Sequence, residues 1–206
     1  MRDTTSAFAD WLARGGQRIG QVLVTRTAEG WDLRHTEDAG HTELTLHSRW
    51  QDARALANLD AAGVYRPLKT APTLRRGWRL LLGSIEDVRR AIDYLYPAML
   101  ETHLAQRAGE VIPTCLRETL GRQTGMYCVT QKLADAQAQE IIRRTCSDGA
   151  CLKKVLWRIA PDVSIESLPA EKFDISTGAD RWPLLCPEAC NLVVAEARRV
   201  VKGEAA

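Results

Sequence analysis

Cys146-Ser-Asp-Gly-Ala-Cys151 and, after a long connection, Cys186-Pro-Glu-Ala-Cys190 are the stretches on which the reading of this chain turns. They form a C-x4-C pair followed by a C-x3-C pair. Each pair spans little more than a turn of backbone, so the four thiols can gather around one metal centre. Thiolate ligands select soft metals: zinc, cuprous copper or iron–sulfur clusters. Zinc ribbons usually offer C-x2-C knuckles to a small tetrahedral ion. A four-iron cluster is a larger body and accepts wider, irregular spacings. Both pairs here are wider than C-x2-C, which favours a 4Fe–4S cluster, with zinc as the alternative. Cysteine is also often buried simply as a small apolar residue. The presence of a second close pair argues against that plainer reading.

The second pair is expected at a helix start. Pro187 suits the first helical position, and Glu188 suits the positive end of the helix dipole. Leu192, Val193, Ala197, Val200 and Val201 follow at helical spacing, with Arg198, Arg199 and Lys202 at the far end. This predicts a helix from about Pro187, with Cys186 at its mouth and Cys190 one turn inside. The first pair is expected in a loop after a helix capped by Asp135, with Ile141 and Ile142 on its apolar side. Arg143, Arg144, Lys153, Lys154 and Arg158 surround that pair in sequence. They are either counter-charges to an anionic cluster or solvated element ends. Cys115 and Cys128 lack a close partner, and either is a substitute ligand or a lining residue.

Working outward, the chain has 206 residues, 45% of them hydrophobic, with a formal net charge of +2. That is the composition of a globular protein with one domain or two small ones. The charge is too small to indicate a nucleic-acid binder. No apolar run is long enough to span a bilayer, and the first residues lack the apolar core of a secretory signal. Six cysteines without an export signal point to the cytoplasm, where thiol clusters are metal-binding or catalytic more often than disulfide-bonded.

Upstream, residues 7–13 read as a short amphipathic helix carrying Phe8, Trp11 and Leu12. Residues 18–26, a turn at 28–30 and residues 31–35 read as a hairpin, and 42–47 as a third strand, giving an antiparallel meander. Residues 51–62 read as a helix ending at Gly63, Tyr65 to Pro72 as extended, and 78–82 as a strand. Ser84-Ile-Glu-Asp87 resembles a capping box ahead of Ile85, Val88, Ile92 and Leu95. Pro97 interrupts a helix that resumes to about Gln106. Gly109 and Pro113 mark a boundary. The expected fold class is α+β: residues 1–110 form a small antiparallel sheet with helices, and residues 111–206 a mostly helical, loop-rich domain with all six cysteines.

At these residues a family resemblance becomes usable. Arg122-Gln-Thr-Gly-Met-Tyr127, the Cys146…Cys151 pair with residues 152–157 behind it, and Cys186-Pro-Glu-Ala-Cys190 resemble the C-terminal region of multidomain bacterial CbiX-type sirohydrochlorin cobaltochelatases. Tyr65-Arg-Pro-Leu-Lys-Thr-Ala71 and Gly77-Trp78-Arg79 resemble the segment preceding it there. The resemblance implies a stabilising α+β domain followed by a 4Fe–4S domain. It also implies that Cys146, Cys151, Cys186 and Cys190 ligate the cluster. A separately encoded CbiX-type chelatase, or another enzyme of cobalamin or sirohaem synthesis, is the implied partner. The chelatase domains themselves, with their metal-handling histidines, are not recognisable. His41 and His47 fall on one face of the third strand, as a metal pair or, more commonly, as surface residues.

Three functions compete: an iron–sulfur accessory protein for a tetrapyrrole enzyme, a structural zinc module for interaction, and an enzyme with an open cluster position. The last is weakest, because no C-x3-C-x2-C loop is present and four ligating cysteines leave no open iron. No Ser-His-Asp set, P-loop or dinucleotide fingerprint supports hydrolysis or nucleotide binding. Arg66, Arg75, Arg76 and Arg79 are either a clamp for substrate carboxylates or a solvated strand edge.

Overall fold

A computed structural model describes residues 4–57, 74–147, 151, 153–158 and 181–204. The described residues fall into two units, one holding those up to Glu110 together with 181–184, the other 111–158 and 185–204. The α+β class expected from the sequence holds.

In the first unit, alternating apolar residues make the sheet. Val22 and Val24 of β2 (Val22–Thr27) and Trp78, Leu80 and Leu82 of β5 (Trp78–Leu82) are buried. Between them lies β3 (Gly30–His35), whose Leu33 stands opposite both Val24 and Leu80. The single strand expected over 18–26 is two. β1 (Arg18–Ile19) folds back on β2 through Gly20, at φ +53°. A side chain at Gly20 would strike Leu184 and the Tyr96 ring. The next backbone N–H, of Gln21, donates to the Tyr96 hydroxyl at 2.8 Å.

The meander is also corrected. β4 is only Thr45–His47 and does not pair with β3. With β9 (Arg181–Trp182) the strand order is β4-β5-β3-β2-β1-β9, antiparallel in the middle and parallel at both edges. The physical reason is burial. The place beside β3 needs an apolar face, which Trp78, Leu80 and Leu82 supply, whereas Leu46 of β4 is 60% exposed.

The expected helix over 51–62 stops early: α2 is Ala53–Leu56, and Ala57 is extended and bridges Leu74. The remainder of that helix and the extended run 65–72 lie outside the described residues. α1 (Thr4–Ala13) buries Phe8, Trp11 and Leu12 as expected. α3 (Ile85–Leu95) starts where the cap was read, with Ser84 Oγ accepting from Asp87 N at 3.1 Å. α4 (Met99–Arg107) follows a reversal at Ala98, φ +56°.

Thr5 of α1 donates to Glu86 of α3 at 2.7 Å, and Arg89 and Arg90 hold the same carboxylate. Bonds from Arg89 first, then Thr5, lower the Glu86 pKa to about 2 from its ordinary 4.5. A depressed carboxylate pKa means stability that is present above the ordinary value and is lost as pH falls toward the folded one. Glu86→Gln is therefore expected to flatten the acid limb of the melting temperature between about pH 4.5 and 2, the window of that shift. An unchanged limb in a thermal melt series would refute the contribution.

The second unit carries α5 (Leu116–Gly121), a 3-10 run Gly125–Lys132, α6 (Asp135–Ile142) and α7 (Asn191–Val201). Two small sheets accompany them: β6 (Thr114–Cys115) with β8 (Trp157–Arg158), and β7 (Lys153–Val155) with β10 (Leu184–Cys186). The helical reading of this part missed these strands, which are too short to show a period of two.

Candidate metal centre

The four paired cysteines are all buried, at 6% exposure for Cys146 and Cys151, 7% for Cys186 and 9% for Cys190. Cys146, Cys186 and Cys190 share one apolar core with Leu116, Ile142, Trp157 and Val193. Four different backbone settings present them. Cys146 sits in a π-helical turn, Arg143–Ser147, that widens the end of α6. Such turns recur at functional sites because they re-aim a side chain within a helix. Cys151 precedes β7 and accepts the Lys153 backbone N–H at 3.3 Å. Cys186 ends β10, with its thiol donating to Glu188 O at 3.0 Å. Cys190 is the N-cap of α7.

Two local expectations are corrected. α7 begins at Asn191, not near Pro187, so Cys190 stands at the helix mouth and Cys186 on a strand. Backbone pairing explains this. Leu156 N donates to Cys186 O at 3.0 Å, and Arg122 donates to Pro187 O at 2.9 Å, so the chain is held out of the helix until Cys190. Cys146 lies in the π turn rather than in a free loop, and Ala134, not Asp135, caps α6. Gln137 accepts from Ala134 N, while Asp135 takes Arg117 at 2.8 Å.

The thiols feel one another. Burial pushes the Cys146 thiol far up, and the proximity of Cys151, Cys190 and Cys186 pushes it further. Cys186 is pushed up to about 11, by burial first, with the Lys153 charge opposing. Singly, each of these two thiols resists ionisation. A positively charged metal core displaces such protons, since metals bind thiolate and binding releases protons. Among the described residues no group of three or more His, Cys, Asp or Glu side chains is arranged to hold a metal ion. A cube offers its irons at separate corners, so its ligands stand farther apart than those of one ion. The all-sulfur donor set, buried at all four positions, fits a 4Fe–4S group.

Cys115 caps α5 and is half-buried, and Cys128 is exposed in the 3-10 run; neither is among the groups acting on Cys146. Arg143 pairs with Glu140, and Arg144 with Glu196 at 3.3 Å. In the first unit, Arg79 is committed to buried Asp32, as is Arg34. Burial alone would raise the Asp32 carboxyl, but bonds from these two guanidiniums outweigh it and hold it below the ordinary value. Arg76 pairs with Glu37, and Arg66 lies outside the described residues. His41 is exposed and 3.5 Å from Asp38, and His47 is half-buried in β4.

In the sequence, residues 122–127 carry part of the family resemblance but no structural role. The structure gives them one. Arg122 holds Pro187 O, Tyr127 hydrogen-bonds Asn191, and Arg198 donates to Met126 O at 3.2 Å. The run laces the Cys186–Cys190 segment from one side. An arginine and a tyrosine bracketing a glycine turn were the visible signal.

Residues 108–199 match the family model of a 4Fe–4S iron–sulfur cluster binding domain, which makes the chain an iron–sulfur protein. Residues 4–107 match the model of the DR2241 stabilising domain, and the chain belongs to that family. It is similar to DR2241 from Deinococcus radiodurans, whose crystal structure reveals a multi-domain protein with structural similarity to chelatases and two additional novel domains. Identity is 32% and the TM-score 0.65, over 97% of this chain and 41% of that one, so the chain spans about two fifths of that protein's length. No curated protein sequence matches the chain. The likeness to part of a chelatase-type protein read from the sequence therefore holds. No helix among the described residues is long and apolar enough to cross a membrane.

Proposed function

We propose that Cys146, Cys151, Cys186 and Cys190 hold the 4Fe–4S cluster, and that the chain serves a chelatase-type tetrapyrrole enzyme as a redox or structural accessory. The observation that carries the ligand set is the burial of these four thiols within electrostatic reach of Cys146. The partnership rests on the similarity to a protein with structural similarity to chelatases. When bound, the cluster supplies one-electron chemistry or a rigid cross-link. The chain's own residues do the rest. The core around Trp157 and Val193 excludes water, the Lys153 N–H points at Cys151, and residues 122–127 hold the Cys186–Cys190 segment. Burial and hydrogen bonds to sulfur are the levers that set a cluster's potential.

The test is purification without oxygen, with iron, sulfide and zinc measured on one sample. About four irons and four sulfides per chain are expected, with a brown colour that bleaches on reduction. Colourless protein with one stoichiometric zinc would replace this reading with a structural zinc module. The partnership is tested by co-purification with a CbiX-type chelatase, where no association with loaded protein would remove it.

A further inference from the structure

Lysine is rarely buried unless something opposes its charge. Lys153 is 5% exposed. Among the described residues no carboxylate forms an ion pair with it: Asp135, Glu140 and Glu196 are taken by Arg117, Arg143, Arg144 and Arg199. Its backbone meets sulfur. Its backbone N–H donates to Cys151 at 3.3 Å, and its strand β7 pairs with β10, which ends at Cys186. Its charge also acts on the Cys186 thiol, against the effect of burial.

We infer that Lys153 is a positioning residue for the metal centre, its ammonium being the counter-charge against which the anionic, thiolate-ligated cluster sits. This rests on the ligand set proposed above. Among the five cations flanking the first pair in sequence, Lys153 is buried as a residue, whereas Arg143 and Arg144 pair with glutamates. Four thiolates leave the centre anionic in both oxidation states. Reduction takes one electron from an external donor, adds one negative charge and breaks no bond to cysteine. A fixed cation in a low-dielectric wall favours the more negative form. Lys153 therefore raises the potential and favours retention of the cluster.

The experiment compares the native chain with Lys153→Met and Lys153→Arg, all prepared without oxygen. Iron and sulfide are counted, and the cluster is titrated with dithionite through redox dyes. Methionine keeps the length and removes the charge, and arginine keeps the charge. The Met variant is expected to reduce less readily by about tenfold in the equilibrium constant, about 59 mV for one electron. The Arg variant should stay near the native value. Depleted iron in the Met variant alone also supports the inference. Equal potentials and equal iron in all three proteins would overturn it, and so would equal loss in both variants. A native chain without iron and sulfide would instead sink the ligand set, so the two failures are distinguishable.

Discussion

Cys146→Ser, Cys151→Ser, Cys186→Ser and Cys190→Ser, each prepared without oxygen, are expected to lose essentially all iron and sulfide. Cys115→Ser should keep a full complement, and Cys128→Ser should at most weaken it. Serine is nearly isosteric with cysteine but is a poor ligand for soft metals. The four paired positions are buried, and three of them lie in one apolar core. A hydroxyl there has neither a metal to bind nor water to meet, so the change removes a ligand and leaves a polar group unsatisfied. Cys115 and Cys128 sit at a helix cap and on an exposed 3-10 run. Iron and sulfide per chain across all six variants is the measurement. If Cys128→Ser empties the site while one paired variant stays loaded, Cys128 replaces that residue in the ligand set.

Trp182→Ala is expected to destabilise the first unit by about 3–5 kcal/mol, the usual cost of truncating a large buried aromatic. The residue lies 75 positions beyond the stretch 4–107 that matches the stabilising-domain family, yet it belongs to that unit (182 − 107 = 75). Its strand runs parallel to β1, with Trp182 opposite Ile19. Its ring meets Trp11 at 5.4 Å, Phe8 at 5.9 Å and His103 at 4.8 Å between centroids. It is 3% exposed, and its indole N–H has no hydrogen-bond partner among the described residues. Trp182→Phe keeps a ring and drops that unpaired donor, so it should cost much less. Denaturant melts of the full chain followed by far-UV circular dichroism test both. A Trp182→Ala protein as stable as the native chain would show that β9 is not part of the unit's core.

Much of the site was legible because its signals are short-range. The two cysteine pairs announce a soft-metal centre by residue type and spacing alone. Ser84 and the apolar period after it set the start and the buried face of α3, because a cap and a helical stripe need only a few neighbouring residues. The 22–35 hairpin is equally local, with Gly30 at φ +141° closing it.

Other features depend on partners far along the chain. β5 lies between β3 and β4 because its apolar face fills the sheet's centre, a choice among strands that no single strand reveals. α7 begins at Asn191 because the pairing of β10 and the reach of Arg122 hold Cys186 and Pro187 out of the helix, overriding a proline and a glutamate that by themselves suit a helix start. Lys153 is one of five cations flanking the first cysteine pair in sequence, and the β7–β10 pairing sets it beside Cys151 and the strand that ends at Cys186. Residue types and local periods determine which chemistry the chain can support and where its helices and hairpin form. Which strands adjoin, which cation is buried and which tryptophan closes a distant core are settled by apolar surface meeting across long loops, where burial outweighs local preference.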